Sequence, residues 1–100
     1  MSLRNKIDIV GKTHKVKWAE PNPGTDTLGT YNYALQTITL EKGMPEDLAQ
    51  STMLHEILEG LDAILKLHLP HPTLDRLEAG LYSVLKGAGI DLKKLLEVKG

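Results

Sequence analysis

The spacing of apolar residues changes once along this chain, near residue 45, from every second residue to every third or fourth. Alternation is typical of a strand with one buried face, and the longer spacing is typical of an amphipathic helix. The alternating pairs are Ile7/Ile9, Val16/Trp18, Tyr31/Tyr33 and Ile38/Leu40, with a turn at Gly11-Lys12. We therefore predict an α+β domain: a small antiparallel β-sheet over about residues 6–40, then an antiparallel helix pair.

Prolines mark the predicted ends of the helices. A proline with two acids behind it favours a first helix over about residues 46–67. The segment "HLPHP" (68–72) ends this helix, because each proline pushes the residue before it out of the α region. A second helix is predicted over about 72–87 and a short C-terminal helix over about 91–98. The second helix is expected to bury the stripe Leu74, Leu77, Leu81 and Val84 with Leu85.

Length and composition restrict the class of protein. A chain of 100 residues, 41% hydrophobic and 25% charged, is expected to form one domain over residues 1–100. The absence of cysteine excludes disulfides and a thiol nucleophile, and it is compatible with a reducing compartment. No apolar run is long enough for a signal peptide or a membrane span, so we expect no membrane association. These features predict a cytoplasmic protein.

Charge is distributed unevenly along the chain. Residues 1–17 carry five basic groups against one acid, and residues 18–62 carry eight acids against Lys42 alone. An acidic surface repels the nucleic acid backbone and favours cations. We therefore expect no nucleic acid partner. An anion contact at the basic amino end is the weakest of the interpretations, because solvated strand faces explain it as well.

The first helix carries one polar stripe. On a helical wheel, His55, Glu59 and Asp62 fall within about 60° of one another. His55 and Glu59, four residues apart, lie one above the other and can reach one ion. Glu56 projects about 100° away, at the edge of the stripe. A carboxylate beside a metal ligand can take a proton from water and later give it to a leaving amine.

A third ligand has to come from elsewhere in the chain, since a catalytic zinc takes three protein ligands and keeps one open position. If the chain reverses near residue 70, Glu78 arrives beside Glu59. Tyr82 shares the side of Glu78 and could offer its hydroxyl to a developing oxyanion. His68 and His71 lie over about 13 Å from Glu59 along the helix axis, so we expect them to be out of range.

An ordinary solvated helix face is the alternative to a metal site. Pairs of histidine and glutamate four residues apart are common on such faces, and Glu78 has Arg76 and Lys86 nearby in sequence as ion-pair partners. The other histidines are more often structural or solvent-exposed than ligating; they are His14, His68 and His71, the last also a candidate helix cap.

The segment "MLHEILEGLDAIL" (53–65), with "YNYALQTITLEKG" before it and "LPHPTLDRLEAGLYSVLKG" after it, resembles a known family. The family is the small HE-x-x-H zinc-peptidase-like proteins of phages and prophages, which include the minigluzincins and the ImmA/IrrE-type peptidases. The similarity covers roughly residues 6–88. It implies that His55 and Glu78 hold a metal, that Glu56 is the base, and that a strand before the helix aligns a peptide.

One position departs from the family pattern. Glu59 stands where the family has a second histidine, which gives HE-x-x-E. A ligand set of His55, Glu59 and Glu78 is harder and more anionic, so zinc would be held less tightly and manganese, iron or magnesium would compete better. Three outcomes stay open: an enzyme with an altered metal, a degenerate site, and metal binding without chemistry.

Two functions follow from these features. The first is a phage-type metal-dependent peptidase of the host cytoplasm, in which metal-activated water hydrolyses a peptide bond and Glu56 and Tyr82 assist. Zinc is the expected cofactor, with a peptide or protein as substrate. The second is a catalytically inactive module that keeps the fold and binds a partner protein through the acidic cleft or the Tyr31/Tyr33 strand. The sequence assigns no substrate, partner or oligomeric state.

Overall fold

The strands come first and the helices second, which confirms the predicted α+β class. The computed structural model describes residues 6–22, 24 and 27–96. Its elements are β1 (Lys6–Ile9), β2 (Lys12–Ala19), β3 (Gly29–Asn32), β4 (Thr37–Glu41), α1 (Glu46–Leu65), α2 (His71–Gly87) and a 3-10 helix (Leu92–Leu96). Part of the C-terminal helix predicted at 91–98 lies outside the described residues. Among the described residues, neither α-helix has both the length and the apolar content needed to cross a bilayer.

The four strands form one sheet in the order β1-β2-β4-β3. Two strand pairs, β1 with β2 and β3 with β4, are antiparallel as predicted. The central pair is parallel, with Val16 opposite Ile38 and Trp18 opposite Leu40. Strand β3 lies at the edge of the sheet and is separated from β2 by β4. Because β4 is antiparallel to β3, it runs in the same direction as β2. The edge position of β3 leaves one side of that strand without a neighbour among the described strands.

The turn between β1 and β2 lies at Val10 and Gly11, one residue before the predicted Gly11-Lys12. Both residues are left-handed, with φ of 51° and 77°. A two-residue hairpin of this kind needs positive φ at both central positions, and a β-branched residue such as Val10 adopts it at a cost.

Helix α1 is the middle layer between the sheet and α2. On one side its Met53 packs with four buried sheet residues, Ile9, Val16, Ile38 and Leu40. On its other side Leu54 and Leu58 pack with Leu74 of α2. Burial on two sides leaves α1 one narrow polar stripe, and this stripe carries His55 and Glu59.

Helix α2 buries less than the sequence predicts. Only Leu74 of its apolar stripe is buried, whereas Leu77, Leu81 and Val84 are exposed. The stripe prediction was wrong for these residues: among the described elements α2 packs mainly on α1, and a single neighbouring helix covers only part of the stripe.

Candidate metal centre

His55 lies halfway along α1, with 14% of its side chain exposed, between two glutamates. Its Nε2 is 3.0 Å from Oε2 of Glu59, one turn later on the same helix. Its Nδ1 is 2.9 Å from Oε1 of Glu78 on α2. The structure therefore brings together the three residues predicted as ligands.

The two glutamates contact opposite nitrogens of the His55 ring. Carboxylates accept hydrogen bonds, so both ring nitrogens face acceptors and the doubly protonated imidazolium is favoured. In this arrangement Glu59 and Glu78 are separated by the imidazole and do not face one common point. Cation binding at either nitrogen releases its proton and lets the ion take the place of that hydrogen bond.

Two groups of potential ligand atoms surround the ring. His55 with Glu56 and Glu59 makes one group, and His55 with His71 and Asp75 makes the other. Within each group the ligand atoms all lie within 4.8 Å of one another. Imidazole nitrogens and carboxylate oxygens are ligands that divalent transition metals accept, so either group could hold a metal ion.

Glu56 is buried, with 2% of its surface exposed. Its Oε1 has no hydrogen bond among the described residues. The pKa of this carboxyl is raised to about 7, chiefly by burial and also by the negative charge of Glu59, while His55 opposes the rise. A buried, unpartnered carboxyl is costly to the fold, so its position calls for a functional reason.

The pKa of His55 is raised by its acidic neighbours. Burial of the ring acts in the opposite direction and would lower it, but the hydrogen bond with Glu78 and the charges of the surrounding glutamates outweigh burial. The acidic surroundings thus favour the cationic form of the ring when no metal is bound.

A cleft of about 510 Å³ opens beside these residues, between the start of β3 and the first turns of α2. Its walls include Gly29, Thr52 and Glu56. A Cβ atom at Gly29 would lie 2.9 Å from Cγ2 of Thr52 and 3.1 Å from Oε2 of Glu56. The backbone of β3 therefore passes directly against the buried carboxylate, and glycine is the residue that fits.

The prediction that His71 lies out of range was wrong. The ring of His71 packs edge-on against that of His55, with centroids 5.4 Å apart, and it lines the same cleft. Helix α1 ends at Leu65, and the left-handed residues Lys66 (φ 54°) and His68 (φ 56°) reverse the chain at once. The reversal is centred nearer residue 66 than residue 70, and this brings the first turn of α2 beside His55.

Asp75 is a cleft residue that the sequence interpretation missed. Its Oδ1 is 3.6 Å from Nδ1 of His55 and 3.7 Å from Nε2 of His71. The pair His71/Asp75 has the same four-residue spacing as His55/Glu59. That repeated spacing, at the start of the second predicted helix, is the sequence signal that could have found it.

Tyr82 lies in an adjoining cleft with Asp47 and Ser51. Its hydroxyl is 3.4 Å both from the backbone oxygen of Asp47 and from Oε1 of Gln50. The structure does not place Tyr82 among the residues lining the His55 cleft. Its role at an oxyanion stays a prediction.

The remaining polar residues of the sequence analysis have other partners. Oδ1 of Asp62 accepts a hydrogen bond from the backbone N–H of Leu69 at 2.9 Å, so this acid holds the turn between the helices. His68 is exposed and lines a separate cleft with Tyr33. His14 is fully buried: its Nδ1 donates to the Lys12 carbonyl, and its Nε2 accepts from the Tyr31 hydroxyl, both at 2.8 Å. A structural role for His14 is confirmed.

Comparisons with known proteins gave no match: no protein-family model, no curated protein and no solved structure corresponds to this chain. The resemblance to the small zinc-peptidase-like proteins therefore stays a prediction based on the motif residues.

Proposed function

We propose that this chain is a metal-dependent hydrolase that cleaves a peptide bond in the cleft between β3 and α2. One observation carries the proposal: Glu56 is a buried carboxyl with an unpartnered oxygen, next to His55 on the cleft wall. An orphaned acid beside a potential ligand group is the arrangement that metal-assisted hydrolysis requires.

The donor set fits a divalent cation. Four acids lie around His55, namely Glu56, Glu59, Asp75 and Glu78. Among the described residues, the ion pairs of these acids are with histidines, and the lysine ion pairs join other acids. An excess of negative charge without lysine or arginine to neutralise it attracts a cation. His55 is the proposed central ligand for zinc, with further ligands drawn from the acids around it, and manganese and iron compete at so acidic a site.

When bound, such an ion polarises a carbonyl oxygen and makes water more acidic. Glu56 acts as the base: its carboxylate takes a proton from the attacking water and passes it to the leaving nitrogen. Without an ion the pKa of this carboxyl is raised to about 7, so its proton is exchanged closer to neutral pH than that of an ordinary glutamate.

The edge strand β3 is proposed to align the substrate. Its outer side has no neighbour among the described strands, and its first residue, Gly29, lines the cleft. An extended peptide can add to such an edge through main-chain hydrogen bonds, which would carry its backbone past Glu56.

The test compares Glu56→Gln with Glu46→Gln, a control at an exposed acid in the first turn of the same helix. Zinc- or manganese-loaded proteins are incubated with a degenerate peptide mixture, and products are identified by mass spectrometry. We expect the wild type and Glu46→Gln to cleave equally, and Glu56→Gln to lose about 10²–10⁴-fold in rate. Cleavage by Glu56→Gln at the wild-type rate, or none by the wild type with any of these metals, would contradict the proposal.

A partner-binding module without catalysis is the second candidate. The observation that favours it is that both nitrogens of His55 already have carboxylate partners, so that the site is complete as a charge network without an ion. Elemental analysis of protein purified without added metal separates the two candidates. Stoichiometric zinc, manganese or iron supports the hydrolase, and no metal even after titration supports the module.

A further inference from the structure

We infer that His71 and Asp75 bind a divalent transition-metal ion together with Nδ1 of His55. The first turn of α2 then supplies the second imidazole that the HE-x-x-E motif lacks. This inference deepens the proposed function, on which it rests, by assigning ligands other than the motif glutamate.

The distances between the potential ligand atoms of His55, His71 and Asp75 are too long for hydrogen bonds but suit atoms that bind one metal ion. Oδ1 of Asp75 is 3.6 Å from Nδ1 of His55 and 3.7 Å from Nε2 of His71. Both separations exceed the usual hydrogen-bond range. Two ligands bound at about 2.0–2.1 Å around a tetrahedral ion lie about 3.3 Å apart. The distances from Oδ1 of Asp75 to the two imidazole nitrogens are thus close to the separation expected between two ligands of one ion.

The motif glutamate makes a contrasting contact. Oε2 of Glu59 is 3.0 Å from Nε2 of His55, an ordinary hydrogen-bond length. With Glu59 accepting the Nε2 proton, a cation at Nδ1 would replace the proton that Nδ1 otherwise shares with Oε1 of Glu78 at 2.9 Å. Ligating histidines commonly donate their other ring N–H to a carboxylate in this way. Glu59 then orients His55 and is not a ligand itself.

The chemistry of the group also suits a transition metal. Two imidazoles and one carboxylate make a softer set than one imidazole and two carboxylates, which favours zinc. His71 and Asp75 have side chains 66% and 56% exposed, so an ion reaches them from solvent without rearrangement of the core. On the same cleft wall lies the buried Glu56, whose Oε1 has no hydrogen bond among the described residues and is left for a ligand to satisfy.

Zinc and cobalt titrations of the full chain test this assignment. The variants are His71→Asn and Asp75→Asn, and His68→Asn is the matched control because it removes a nearby exposed histidine that lines another cleft. Calorimetry gives the affinity, and the visible spectrum of bound cobalt reports imidazole ligation independently of activity. We expect His71→Asn and Asp75→Asn to lose about 100-fold or more in affinity. His68→Asn should bind as the wild type does.

The outcomes separate this inference from the proposed function. Wild-type affinity in both His71→Asn and Asp75→Asn, with a large loss in Glu59→Gln, would overturn the inference and leave the hydrolase intact with the motif ligands. No binding of zinc or cobalt by the wild type would overturn the inference, and no binding of manganese or iron either would overturn the proposed function as well. Circular dichroism spectra of the variants should match the wild type, because both replaced side chains are exposed.

Discussion

The structure surrounds two histidines with opposite kinds of partner. His14, fully buried on strand β2, contacts a backbone carbonyl and a tyrosine hydroxyl, and both contacts are neutral. The ring nitrogens of His55, beside the cleft, face carboxylates. His14 has one satisfied tautomer and no capacity for a further ligand, whereas the acids around His55 exceed what one imidazolium neutralises. The partners of a histidine, more than its burial, separate a structural role from a cation site.

The largest expected effect is on folding and involves His14. Replacing it by alanine empties a fully buried site and leaves the Tyr31 hydroxyl unpaired, so the free energy of unfolding should fall by about 3 kcal/mol. His55→Ala should lose only about 1 kcal/mol, because its contacts line an open cleft. Urea unfolding in the presence of a chelator measures both. Equal losses would remove the distinction between the two histidines.

Metal addition should stabilise the protein through His55 and not through His14. At a free zinc concentration of 100 times the Kd, the free energy of unfolding should rise by about 2.7 kcal/mol. His55→Ala should show no such rise. Tyr31→Phe, which alters the surroundings of His14, should keep it in full. Thermal unfolding at several zinc concentrations gives these values, and a zinc-dependent rise in His55→Ala would place the ion elsewhere.

The pH dependence of stability should report Glu56. Its pKa is raised from 4.5 to about 7, so the folded state holds this proton more tightly than the unfolded state does. The resulting stabilisation is complete below pH 4.5 and is lost as pH rises through about 7. In chelator, the wild type should lose about 2 kcal/mol more than Glu56→Gln over this range. Parallel pH profiles for the two proteins would mean that the carboxyl is better solvated than its burial indicates.

The smallest effect tests the His14 pair alone. Tyr31→Phe removes the donor to Nε2 of His14 and keeps the ring, so we expect a loss of about 1 kcal/mol in the free energy of unfolding. The pKa of Tyr31 is raised by burial and by Tyr33, which keeps this hydroxyl protonated as a donor. Urea unfolding at neutral pH checks the value. A loss as large as that of His14→Ala would show that the tyrosine carries the whole interaction.

The spacing of apolar residues was sufficient to predict the strands and helices but not which strands pair with each other. The switch in spacing near residue 45 gave the sheet and both helices, because alternate residues share a strand face and every third or fourth residue shares a helix face. Alternation does not say which strand pairs with which. The parallel pairing of β2 with β4 depends on the path of the chain between β2 and β3, for which the sequence offers only loop residues.

The candidate site was predictable on α1 and less so on α2. Spacing alone placed Glu59 beside His55, and two antiparallel helices brought Glu78 to the same ring. The position of His71 depends on positive φ at Lys66 and His68. Neither residue is glycine, and residues other than glycine adopt positive φ in only a few per cent of cases. The sequence therefore gives no clear sign that the chain reverses directly after α1.

The hydrogen bond from the Leu69 N–H to Asp62 fixes the phase of α2 as well as its starting point. One residue added to this connection would rotate α2 by about 100° about its axis and swing His71 and Asp75 away from His55. An insertion of that kind, in the connection between the helices, would separate the two helices' contributions to the cleft while leaving both helices intact.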